Sequence, residues 1–108
     1  MKKFNDSLAD LGRFSEPALL ILISLADGPK HGYAMTQDIA ALTGQKLGPG
    51  TLYGAITRLE ARKWIEPLPA DERRRPYRLT AAGDRVLRHR LENLHALARV
   101  GRARLAEG

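Results

Sequence analysis

The sequence predicts a mainly α-helical fold with one small β-hairpin, and three observations predict it. Between residues 17 and 61, apolar residues recur at three- and four-residue spacings in three separate stretches, the period of helices with a buried face. From Trp64 to Thr80 that period gives way to two short runs, WIEPL and RPYRLT, on either side of a turn. From Ala81 onward the helical spacing returns in one long stretch.

Residues 4–13 suit a short helix, with Phe4, Leu8 and Leu11 at spacings of four and three. Such a helix is too short to stand alone in water, so it must dock on the body or on a partner chain. The next helix starts near Ser15 and Glu16, with Pro17 in the first turn, where its missing N–H costs least. Ala18 to Leu25 is apolar nearly all round, as befits a helix central to the core, and Asp27, Gly28 and Pro29 stop it. A second helix is expected from about His31 to Leu42, with Met35, Ile39 and Leu42 on one face and Gly44 as its C-terminal cap. The third opens at Pro49 or Gly50. Its apolar stripe is Leu52, Ala55, Ile56 and Leu59, and its opposite face carries Gly50, Tyr53, Gly54, Thr57, Arg58 and Ala61.

In the hairpin, Pro69 to Glu72 supplies the turn, and two prolines in the strands confine them to an edge. Three helices followed by a protruding hairpin make a winged helix-turn-helix, with the third helix placed to enter a groove. In the last helix Leu87, Leu91, Leu94, Ala98, Gly101 and Leu105 fall at spacings of 4, 3, 4, 3 and 4, a heptad seam. This stripe either packs on the chain's own body or meets a second copy. At ~1.5 Å per residue the helix is about 40 Å long and overruns a domain of this size. Ala98 and Gly101 also leave room for a second backbone, which favours a homodimer. The expected organisation is an N-terminal arm at 1–14, a winged helix-turn-helix at 15–80 and a dimerisation helix at 81–108.

The chain's 108 residues suit one domain. A net charge of +6 and a pI near 10.2 favour a polyanionic partner. Without cysteine there is neither a disulfide nor thiolate chemistry. The longest apolar stretch, Pro17 to Ala26, is too short to span a bilayer, and Asp6 and Asp10 fall where a signal peptide needs its apolar region. The expected location is the cytoplasm, with no membrane partner. No serine lies in a nucleophile-elbow pattern, and GPGTLYG lacks the spacing of a phosphate loop. His89 and His95 are six apart, off the spacing that sets two metal ligands on one helix face. Catalytic residues, metal ligands and cofactors are therefore assigned as none.

The segments GPKHGYAM (Gly28 to Met35), GTLYGAITRLE (Gly50 to Glu60), WIEPL (Trp64 to Leu68) and RRRPYRLTAAG (Arg73 to Gly83) together resemble the PadR-type transcriptional regulators, in that family's order and spacing. The similarity runs from about Pro17 to Gly83. It implies a winged-helix repressor that dimerises through its C-terminal helix and binds a near-palindromic operator; the single C-terminal helix is similar to the short subfamily. The chain departs from the pattern twice. Gly48 stands where relatives often place a serine N-cap, at a cost of a few tenths of a kcal/mol relative to a good cap. Lys63 stands where many have glycine, and costs about 1 kcal/mol if its backbone is left-handed.

On this reading the wing arginines Arg73, Arg74 and Arg75 grip phosphate, with Lys46, Lys2 and Lys3 as further candidates. Thr51, Tyr53, Thr57 and Arg58 have the reach to read bases; Arg58 can address a guanine edge, and Gly54 lets the backbone come close. Tyr53 either reads bases or packs and offers its hydroxyl to a phosphate. Tyr33 and His31 stand at a helix start where phosphate can bind, though His31 is read chiefly as a capping residue. The resemblance also implies a small-molecule effector, whose identity stays open. The tryptophan stacking used by some relatives is absent, since no Phe, Trp or Tyr occurs from Ala81 onward. A pocket of Phe4, Leu8, Phe14, Leu87 and Leu91 competes with plain dimer core. Two other partners remain open: an acidic protein surface, and structured RNA, whose narrow major groove resists a helix.

Overall fold

The computed structural model describes residues 16–70 and 73–108. The helix expected at residues 4–13, with Phe14, Lys2 and Lys3, lies outside the described residues. The chain runs α1 (Glu16–Leu25), β1 (Lys30–His31), α2 (Gly32–Thr43), α3 (Pro49–Ala61), β2 (Ile65–Pro67), β3 (Pro76–Leu79) and α4 (Ala81–Glu107). The mainly helical architecture with a small antiparallel sheet is the one expected from the sequence.

Helix α1 is the hub, touching α2, α3, β3 and α4. Ile21, Leu22 and Leu25 are buried, as is Ser24 between them. The Ser24 hydroxyl meets the need for a partner by donating to Asp38 Oδ2 of α2 at 2.7 Å. Lys30 Nζ donates to the Ser24 carbonyl and to the Asp27 carboxylate, closing the turn after α1. The hydrogen bond from Lys30, reinforced by its charge, holds the Asp27 carboxyl below its ordinary pKa.

Helix α2 begins at Gly32 because His31 caps it: the His31 backbone is extended and its Nδ1 accepts the Ala34 N–H at 3.3 Å. Gly44, at φ 78°, closes the other end. Met35 and Ile39 are fully buried, but Leu42, expected on the same face, is 59% exposed. Helical phase aligns it with the core, yet no described element covers it. The α3 stripe of Leu52, Ala55, Ile56 and Leu59 is buried as expected and packs with Ile65 and Leu87 into one cluster.

The sheet has three strands, not two, in the order β1-β3-β2. Ile65 pairs with Leu79, Glu66 with Arg78 and Pro67 with Tyr77. On the other side of β3, Lys30 pairs with Tyr77 and His31 with Pro76. Strand β1 is only two residues long and carries no alternation that sequence reading can detect. Its presence corrects the edge assignment: β3 is central, and Pro76 occupies its first position, where a missing N–H is tolerated. Pro67 does lie on an edge strand.

Thr80 caps α4, accepting the Gly83 N–H at 3.0 Å, and its own N–H donates to the Trp64 carbonyl at 3.0 Å. Gly83 is buried against that carbonyl: a Cβ there would overlap the Trp64 oxygen and lie 3.1 Å from Leu79 Cδ1. Of α4, only Gly83 and Leu87 are buried, so after two turns the helix leaves the body. No helix among the described residues is long and apolar enough to cross a membrane.

Candidate nucleic-acid interface

Helix α3 turns its polar side outward because its apolar stripe is held by the core. Thr51, Tyr53, Thr57 and Arg58 are all exposed, and Gly54 is half-buried among them. Thr57 Oγ1 donates to the Tyr53 carbonyl at 2.9 Å, which fixes that side chain along the helix. The N-cap is Gly48, which makes no side-chain bond, so Pro49 alone stiffens the first turn.

Tyr53 leans across to the start of α2. A Cβ on Gly32 would overlap the Tyr53 hydroxyl oxygen and lie 2.9 Å from Cζ and 3.2 Å from Cε1. Gly32 is therefore the residue that lets the hydroxyl end of Tyr53 come close against α2. Sequence reading missed this pair, because nothing local to Gly32 announces a partner on another helix. The ring remains 51% exposed, so the same side chain both packs and faces outward.

Arg74 brings the wing to the start of α2, toward which Tyr53 also leans. Arg73, Arg74 and Arg75 are exposed, and among the described residues no carboxylate pairs with them. Arg75 Nη1 donates to the Leu68 carbonyl at 3.1 Å, tying the two arms of the hairpin. Arg74 Nη1 lies 3.3 Å from His31 Nε2. On the next rung Arg78 pairs with Glu66 at 2.6 Å, so its charge is spoken for within the sheet. Burial, with the Glu60 charge as a second cause, pushes the Tyr77 phenol above its ordinary pKa.

Lys63 joins α3 to the wing at φ 62°, the left-handed region in which a non-glycine residue is strained. The neighbouring contacts hold it there: the Lys63 carbonyl accepts Thr80 Oγ1 at 2.7 Å, and Arg62 lies 5.2 Å over the Trp64 ring. Tyr33 is exposed on α2 and its hydroxyl accepts Gln37 Nε2 at 3.1 Å. Lys46 is exposed in the α2–α3 loop, away from the wing in the chain.

Along α4 the seam divides. Leu87 is 5% exposed and belongs to the core, Leu94 is half-buried, and Leu91, Ala98, Gly101 and Leu105 are exposed, Leu105 to 82%. Leu97 and Val100, off that seam, are exposed as well. An open groove of about 660 Å³ lies between the end of α1 and the start of α4, lined by Leu25, Pro29, Arg78 and Arg85 among others. Neither Leu87 nor Leu91 lines it, so it is not the pocket expected from the sequence.

Comparison with known proteins gives a family match, two relatives in sequence and similar solved structures. Residues 21–89 match the transcriptional regulator PadR-like family. The transcriptional regulator Rv3488 of Mycobacterium tuberculosis is 40% identical over 84 residues, covering 75% of this chain and 78% of that protein. An uncharacterized 37.1 kDa protein in transposon TN4556 of Streptomyces fradiae is 44% identical over 88 residues; the match takes in 82% of this chain but only 25% of the transposon protein. Among solved structures, a transcriptional regulator from Clostridium thermocellum superposes with a TM-score of 0.74 at 28% identity, covering 85% of this chain and 91% of the other. A PadR family regulator from Clostridium difficile shares the fold, with a TM-score of 0.74 at 23% identity over 80% of this chain and 94% of the other.

Proposed function

The chain belongs to the PadR-like family of transcriptional regulators, and from that premise we propose that it is a repressor acting as a homodimer on a near-palindromic DNA operator. PadR-like regulators bind DNA and are not enzymes. What supports the reading is the exposed outer face of α3, with Tyr53, Thr57 and Arg58, together with the exposed wing arginines Arg73, Arg74 and Arg75; Tyr53 and Arg74 both reach the start of α2. Arginines on the wing supply sequence-independent grip, and the outer face of α3 supplies base readout. The exposed run Leu91, Ala98, Gly101 and Leu105 supports pairing of two α4 helices. A two-fold dimer places two α3 helices on successive major grooves, which is why the operator is near-palindromic.

The test is footprinting on the DNA upstream of the coding region against scrambled competitor. A protected, near-symmetric site that survives physiological salt supports specific dimeric binding. Diffuse, salt-labile protection alone points to a site elsewhere or to an acidic protein partner.

A further inference from the structure

We propose that His31 and Arg74 form a clamp for one backbone phosphate of DNA, at the junction of the wing with α2. The inference rests on the DNA-binding reading above and joins His31, read from the sequence chiefly as a helix cap, to Arg74 in one site.

The argument begins with hydrogen count. His31 Nδ1 accepts the Ala34 N–H at 3.3 Å, which requires a lone pair on Nδ1. In a neutral imidazole the ring hydrogen then sits on Nε2. That same Nε2 lies 3.3 Å from Arg74 Nη1, and guanidinium nitrogens donate but never accept. Two N–H donors therefore face each other. The other tautomer only moves the conflict, because Nδ1–H would then oppose the Ala34 N–H. A neutral ring satisfies one of the two contacts and never both.

A phosphate resolves the conflict. Its oxygens accept from Nε2–H and from the guanidinium together, while Nδ1 goes on capping α2. The planar arginine fork suits phosphate, and charge-assisted bonds of this kind are the strong ones. Position supports the same ligand. The pairing of His31 with Pro76 brings the end of β1 to the wing, and Gly32, next in the chain, lies under Tyr53 of α3. The clamp thus stands where the two elements assigned to DNA meet.

The two members carry different signatures, because the guanidinium brings a fixed charge and the ring contributes a single hydrogen bond. Binding to a mixed-sequence duplex is measured across a salt series for the wild type, His31→Asn, His31→Asp, Arg74→Ala and His31→Asn/Arg74→Ala. Asparagine and aspartate both keep a capping oxygen, so α2 stays closed. Arg74→Ala should lower affinity and reduce the salt slope by about 0.9. His31→Asn should lower affinity roughly tenfold with the slope unchanged, and His31→Asp should bind more weakly still. The double variant should lose less than the sum of the two single losses. Additive losses, or His31→Asn binding like the wild type, overturn the clamp while leaving the DNA reading intact. A wild type without salt-dependent binding overturns both.

Discussion

Replacing Gly32 with alanine tests whether the packing of Tyr53 matters for function rather than for folding. The new methyl overlaps the hydroxyl end of Tyr53, and the three heavy atoms nearest to it all belong to that side chain. Because the ring is half exposed, it can swing outward instead of straining the backbone. That displacement costs about 1 kcal/mol of lost contact, toward the low end for overpacking. Alanine in place of glycine in a helix returns up to about 1 kcal/mol. Stability should therefore change little, with a melting shift of no more than about 4–8 °C. DNA binding should change more. If the hydroxyl bonds a phosphate, losing it costs about 1.5–3 kcal/mol, or roughly 10- to 100-fold in Kd. Anisotropy with a fixed duplex and thermal melts at one protein concentration, on the wild type, Gly32→Ala, Tyr53→Ala and the double variant, complete the cycle. The double variant should match Tyr53→Ala in both assays. Additive affinity losses would refute the reasoning, as would a large drop in melting temperature that Tyr53→Ala fails to relieve.

Three further outcomes follow from particular contacts. Gly83→Ala should be severely destabilising, by about 3 kcal/mol from overpacking together with the Thr80 hydrogen bonds it disturbs, because its methyl meets the Trp64 backbone carbonyl, which cannot swing away; denaturant titration measures this, and a loss below that of Gly32→Ala would contradict it. Lys63→Gly should stabilise by about 1 kcal/mol by removing left-handed strain, read as a higher denaturation midpoint at unchanged slope. Tyr77, raised above its ordinary pKa by burial and by Glu60, favours folding while neutral. Its contribution is whole below about pH 10 and is lost as pH rises through the raised value, so Tyr77→Phe should blunt alkaline destabilisation in melts across that range.

The helices were legible because their signals are local. The 3–4 spacing of Leu52, Ala55, Ile56 and Leu59 named the buried face of α3, and so also its outer face, since one helix has only one side left. Gly44 and Pro17 marked ends and starts through backbone preferences that hold in any context. The wing arginines were legible as a run, Arg73 to Arg75, between the expected turn and the second strand. Less legible was where a periodic face stops being covered: Leu42 has the right phase and the wrong surroundings.

By itself, then, the sequence determined which segments become helices, which faces of them are apolar, and that a basic hairpin follows the third. Periodicity, capping and charge are properties of neighbours in the chain. Tertiary structure alone decided that two residues, Lys30 and His31, join the hairpin as a third strand, that Gly32 makes room for Tyr53, and that His31 faces Arg74. Those contacts join residues far apart in sequence, and their energy exists only once the core has brought the elements together.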